Sequence, residues 1–429
     1  MSARPKIAVV YEQGAVTPAE IAVGFADLGT TLFAVPGTGT AHLDRVRPLL
    51  EHLGDVVELT GEAEEDVRRL GARRPAAVLT FSESQLRRTS VLASGLGLPY
   101  HDSTTVRLLT DKARQRARLR EAGVDRVRSR GLRTADDLPE ALAEVGLPAV
   151  VKPVRSEGSR GTFLVRDADE ATRLVPMVFA VAGGSADGEP VAVVEEYLRG
   201  RPSGESGDYV SVESMSGAHG VAHLAVTGKF PQLPPFREVG GFWPATVAPD
   251  EHREILDLTT RALEALGVTT GLTHTEIKLT PDGPRVIEVN GRVGGTLNEF
   301  YENAAGQNLV RLAGLLALGE QVEPPAFHPA DRVYFAFSVL APTEACTYLG
   351  SHGDAEVRDL PGIAGYRLYV RPGDQLTAGV MTRNLDMIWG WCADHAELSA
   401  LKRHVLAALS YEFEFPDGRR RIPATDLMR

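Results

Sequence analysis

The side chains best suited to do chemistry fall together between Gly271 and Gly295, in the stretch GLTHTEIKLTPDGPRVIEVNGRVGG. Pro281-Asp282-Gly283-Pro284 has the residues of a tight turn, so the runs on either side predict the two strands of a hairpin. Side chains alternate with a period of two along a strand, which puts His274, Glu276 and Lys278 on one face and Ile277 and Leu279 on the other. On the returning strand Glu288, Asn290 and Arg292 share a face, and Ile287 and Val289 point away. Two carboxylates and an amide oxygen are hard ligands of the kind Mg²⁺ takes while it keeps some waters and bridges nucleotide phosphates. Arg292, next in the series, has a planar fork that suits phosphate or carboxylate better than an ammonium does. Alternation of this kind also occurs on the solvated face of a half-exposed hairpin. The apolar partner positions, and the close backbone approach marked by Gly291, Gly294 and Gly295, weigh against that simpler reading.

Two further signals are weaker alone. In PAVVKPVRSEGSRGT, Pro148 to Thr162, an apolar strand delivers Lys152 and leads into a loop containing Ser156, Ser159 and Gly161. Such a loop can close its N–H groups over phosphates while the lysine supplies point charge, although strand, lysine and loop recur in many unrelated turns. In VAVVEEYL, Val191 to Leu198, a strand ends in Glu195, Glu196, Tyr197 and Leu198, whose backbone could meet an adenine edge; alone it is a strand with an acidic end. His274 is as well explained by a hydrogen-bonded strand histidine as by a substrate contact. His219 and His223 have metal-like spacing but lie around Gly217 and Gly220 in a turn, where coincidence is the better reading.

These residues need elements to hold them. From Lys6 to about Tyr100, short β-branched runs (Ile7 to Tyr11, Thr31 to Val35, Val56 to Leu59, Ala76 to Phe81) alternate with helix-length segments. That alternation predicts parallel pairing with right-handed crossovers, an open α/β sheet. Gly37 and Gly39 open no GxGxxG helix and read as a turn. One helix, with Ser103 as N-cap, is expected to run to about Ala122; it carries Asp111 and Lys112, then Arg114, Arg116, Arg118 and Arg120 as a solvated face. Strands, turns and long loops follow Gly123, including a glycine-rich surface loop from Gly183 to Gly188, and predict an α+β unit to about residue 325. Beyond Pro324, Pro325 and Pro329, strands at Val333 to Leu340 and Tyr366 to Val370 and a helix from about Glu397 to Ser410 predict a small C-terminal α+β lobe.

Composition narrows the function. At 429 residues the chain exceeds what one core usually serves, so two or three domains are expected. Lys plus Arg number 46 against 57 Asp plus Glu, a formal charge of -11 that disfavours nucleic acid or an anionic membrane as main partner. Cys346 and Cys392 have no disulfide or zinc spacing and read as buried thiols. With no run approaching the roughly 20 apolar residues of a membrane span, a cytoplasmic setting is expected.

Taken in order, Asp111-Lys112, Lys152 with its loop, Glu195 to Leu198 and the Glu276 to Gly295 hairpin resemble the ATP-grasp superfamily over roughly residues 5 to 325, most closely its L-amino acid ligase and carnosine-synthase-like branch. The resemblance implies a pre-ATP-grasp α/β domain (1–105), an ATP-grasp domain (106–325) and a C-terminal α+β lobe (326–429). It implies ATP held by Lys112, Lys152, Ser156, Ser159, Gly161, Glu195, Glu196 and Leu198, and Mg²⁺ held by Glu276, Glu288 and Asn290. Arg292, with Lys152 and His274, is then the catalytic set. The family's ribose-binding acid has competing candidates in Glu205, Asp208 and Glu213, because Gly200 to Asp208 is lengthened, and Asp208 is preferred. The stretch KFPQLPPFREVGGFWP, Lys229 to Pro244, corresponds to the segment near the substrates, so Lys229, Arg237, Glu238 and Trp243, with Phe236 and Phe242, are expected there beside Arg292 and Gly295; a proline-rich loop packed by its own aromatics fits equally. The implied reaction joins a small carboxylic acid to an amine through an acyl phosphate. The implied partners are those small molecules, with a homodimer allowed. Alternatives are another ATP-grasp enzyme such as a carboxylase, although no biotin-attachment Met-Lys-Met occurs, or a non-catalytic nucleotide-binding protein.

Overall fold

A computed structural model describes residues 4–37, 40–184, 188–295, 297–325 and 331–429. Gly39, Pro329 and the middle of the Gly183 to Gly188 loop lie outside the described residues. Strands β1 (Lys6–Val10), β2 (Thr30–Pro36), β3 (Asp55–Leu59) and β4 (Ala77–Leu79) form a parallel sheet in the order β3-β2-β1-β4. Its strands are apolar on both faces because helices cover both. Thr17 opens the first of those helices with a capping box to Glu20, so this crossover is written locally.

The single helix expected from Ser103 to Ala122 is two helices, Ser103–Leu109 and Lys112–Glu121, capped by Asp102 and Asp111. The Asp111 side chain accepts the Arg114 N–H, satisfying a first-turn donor and fixing the break there. Arg116 on the second helix is buried rather than solvated. It donates to the carbonyls of Val286 and Ile287 at 2.5 and 2.6 Å, which would otherwise lack partners beside the hairpin.

A second sheet, antiparallel, contains β5 (Ser129–Leu132), β6 (Ala149–Pro153), β7 (Phe163–Val165) and β8 (Ala192–Glu196) in the order β5-β8-β6-β7. The third and largest sheet joins β9 (Tyr209–Gly217), β10 (Gly220–Lys229), β11 (Gly240–Trp243), β12 (Gly271–Thr280), β13 (Gly283–Asn290) and β14 (Val333–Phe337) to two later strands. After β15 (Cys346–His352) come β16 (Ile363–Leu368), β17 (Gln375–Leu376) and β18 (Asp386–Cys392), and the order in the large sheet is β13-β12-β9-β10-β11-β14-β18-β16. The sheet therefore runs without a break across the boundary expected at 326. A last sheet, β17-β15-β19-β20, adds β19 (Ser410–Phe415) and β20 (Gly418–Pro423). Among the described residues no helix is long and apolar enough to cross a membrane.

Candidate active site

A cavity of about 490 Å³ opens between the second sheet and the β12–β13 hairpin. The hairpin register pairs His274 with Asn290 and Glu276 with Glu288 directly across the strands. Side chains at such opposed positions lie close enough to act on one ligand. A bulge between Glu276 and Ile277 leaves Ile287 unpaired, and this turns Ile287 toward the cavity wall instead of away from it as strict alternation predicts.

At the opposite wall, β6, β8 and the helix Lys112–Glu121 bring two cations and an acid together. The Lys152 ammonium lies 2.9 Å from Glu195 and the Arg116 guanidinium 3.1 Å from the same oxygen, all three side chains nearly buried. Burial alone would raise the Glu195 carboxyl, but the two cations outweigh it and hold it down at about 2. Lys112 lies 2.8 Å from Glu288 and donates to the Ser156 carbonyl at 2.7 Å. Burial works against its charge, yet Glu288 keeps the ammonium above its ordinary value. Ser156, Ser159, Glu196 and Leu198 also line this end. Ser159 is held with positive φ, its hydroxyl donating to the Phe236 carbonyl at 2.7 Å. Gly161 is set back from the cavity, its N–H bonded to the Val380 carbonyl.

At the hairpin end, His274 contacts the Glu213 carboxylate through Nδ1, and its Nε2 lies 3.6 Å from Glu276. Burial would lower His274, but Glu213 and then Glu276 raise it to about 9. Glu276 is correspondingly held below the usual carboxylate range against its own burial, first by His274, then by Lys229 and Arg292. Arg292 lies just past β13 with its Nε 3.2 Å from a Glu83 oxygen, and Glu83 comes from the short turn after β4 of the parallel sheet. Neither Glu83 oxygen has a hydrogen-bond partner among the described residues. Burial pushes Glu83 up to about 7, with Arg292 opposing and Glu288 reinforcing the shift.

The segment from Lys229 to Pro244, expected near the substrates, divides. Glu238, Phe236 and Gly295 line the cavity, and Lys229 stands behind Glu238 as its ion-pair partner. Trp243 does not line it; the ring packs in the core against Tyr334, with centroids 6.5 Å apart. Phe242 packs on Phe230. These β11 residues pair with β10 and β14 inside the large sheet, and that burial overrides the loop character their sequence suggests. Of the ribose candidates, Glu205 pairs with Arg403 on the surface, Asp208 holds Lys278 at 2.6 Å, and Glu213 belongs to His274; none lines the cavity.

Glu83 and Arg116 went unrecognised as site residues in the sequence, and Glu213 was considered there only as a candidate ribose-binding acid. Glu83 had one faint signal, its place directly after a parallel strand, where α/β ligand sites gather. Two carboxylates and an amide on adjacent strands fit a hard divalent ion with remaining waters, while no group of three or more His, Cys, Asp or Glu among the described residues could hold a metal.

Residues 145–299 match the ATP-grasp domain family. Over 304 residues the chain is 31% identical to the y4rH protein of Sinorhizobium fredii, covering 70% of this chain and 60% of that one. It is 28% identical over 250 residues to an alanine–anticapsin ligase of Bacillus subtilis, covering 56% of this chain and 50% of the ligase. Thus the chain spans less than two thirds of the length of these relatives. Its fold is similar to that of an L-amino acid ligase from Bacillus licheniformis, with a TM-score of 0.78 and 21% identity over 96% of this chain and 99% of the other. The chain carries an ATP-grasp domain and has the ATP-grasp fold.

Proposed function

We propose that this ATP-grasp chain is an ADP-forming ligase that joins a small carboxylic acid, an amino acid, to an amine through an acyl phosphate. The observation that carries the reading is the convergence on one cavity of the cations Lys112, Lys152 and Arg292 with Glu276, Glu288 and Asn290. Lys112 and Lys152 are placed to meet nucleotide phosphates, and the backbone around Glu196 and Leu198 to meet adenine. Their present partners, Glu288 and Glu195, hold both ammonium groups in position before ATP arrives. Mg²⁺ held by Glu276, Glu288 and Asn290 would supply charge neutralisation on the terminal phosphates.

Arg292 lies between that carboxylate pair and Glu83, where its fork can hold a substrate carboxylate and the phosphoryl group it receives. The carboxylate oxygen attacks the terminal phosphorus, the bond to ADP breaks, and the acyl phosphate forms. The amine then displaces phosphate from the acyl carbon and loses a proton. No protein nucleophile is needed, so positioning and charge supply the rate. Similarity to a ligase named for alanine and anticapsin supports an amino acid as one substrate.

Hydroxylamine tests the reading. Offered with ATP, Mg²⁺ and a panel of amino acids, it should trap a hydroxamate for one class of acid, with equivalent ADP and phosphate. Release of AMP and pyrophosphate would sink the proposal.

A further inference from the structure

One buried carboxylate touches both halves of the hairpin end. Glu213 on β9 is 2% exposed and sits opposite His274 in the β9–β12 register. One of its oxygens contacts His274 Nδ1, and the other accepts the Gly294 N–H at 3.2 Å. His274 in turn faces Glu276, and Gly294 belongs to the turn that begins with Arg292. The fit is close: a Cβ added at Gly294 would lie 2.5 Å from His274 Nδ1. Glu213 thus holds the Nδ1 side of the ring, and Nε2 is the atom presented toward Glu276.

We infer that Glu213 is a positioning residue that fixes His274 against the metal-binding face of the hairpin and at the same time fixes the Gly294 backbone beside Arg292. The inference rests on the proposed function for what is positioned, but not for the contacts themselves. A carboxylate presents two acceptor oxygens, one for each donor here; glutamine has a single acceptor oxygen, so Glu213→Gln keeps shape and must lose or invert one arm. Residues that orient ligands in this way affect metal affinity or activity by about 10–100-fold when changed.

Two readouts test it. In the apo protein labelled with ¹⁵N-histidine, Glu213→Gln should shift the ring-nitrogen signals of His274 and leave those of the other histidines in place. In assays, Glu213→Gln should raise the Mg²⁺ requirement and lower kcat by about 10–100-fold together, while ADP binding measured without metal and the melting temperature stay near wild type. An unchanged His274 spectrum, or normal kcat and Mg²⁺ dependence, overturns the inference. Loss of ADP binding and folding in step with activity would show a structural role only, and would also overturn it. Should Glu213→Gln not fold, His274→Gln removes the histidine arm and carries the same kinetic comparison. If wild type turns over no acid and amine, the proposed function fails, and the spectrum still decides whether Glu213 sets the ring.

Discussion

The two ends of the cavity treat buried charge in opposite ways. At the β6–β8 end the Glu195 carboxylate is paired through one oxygen with both Lys152 on β6 and Arg116 on the helix Lys112–Glu121, and only its other oxygen lacks a hydrogen bond among the described residues. At the hairpin end Glu83 faces Arg292 with both oxygens lacking hydrogen bonds, and its pKa rises accordingly. A carboxylate gripped by two cations holds geometry; one with neither oxygen hydrogen-bonded is held in a less stable arrangement that a ligand can satisfy. On the proposed function, the first end would grip ATP and the second would respond to the substrate.

The largest effect should come from the Glu195 network. Glu195→Ala leaves Lys152 and Arg116 buried without their shared partner, which should cost about 3–5 kcal/mol of stability. Chemical denaturation would check it, and a loss below about 1 kcal/mol would break the comparison. Arg292→Ala should instead spare the fold and lower kcat by about 10²–10³-fold. Steady-state phosphate release measures this, and near-wild-type turnover would remove the role given to Arg292.

Protonation sharpens the contrast. Glu83 has a folded value of about 7, above its ordinary 4.5, so the folded state binds the proton more tightly. Its contribution is fully present below the unfolded value and is lost as pH rises through about 7. The loss is on the order of 3 kcal/mol. Unfolding curves between pH 4.5 and 8 should show wild type losing stability relative to Glu83→Gln; parallel curves would place Glu83 outside the unsatisfied pair. The smallest effects concern the aromatic residues near the substrate end. Trimming Phe236 to Leu should shift acid or amine preference by about 1–3 kcal/mol. Trp243→Phe should cost about 1 kcal/mol of stability and leave the substrate panel unchanged. A reversed outcome in a paired panel and melting experiment would return Trp243 to the pocket wall.

What the sequence determined by itself was local. The turn Pro281 to Pro284 was enough to specify a hairpin, and the alternation from Lys6 to Leu79 was enough to specify the parallel sheet, because both follow from backbone geometry over a few residues; Glu276 stands opposite Glu288 only through a bulge that the period of two does not encode. Tertiary structure decided the rest. Arg116 lies in a helix of otherwise mostly exposed arginines, and only the hairpin packed on that face makes it a buried donor. Trp243 sits in a stretch that reads as a proline-rich loop until β14 pairs with it. Glu83 and Glu213 reach the site from strands and turns far away in sequence. Which face of an element is buried, and which carboxylate meets which cation, depends on partners hundreds of residues distant, and no local period encodes that.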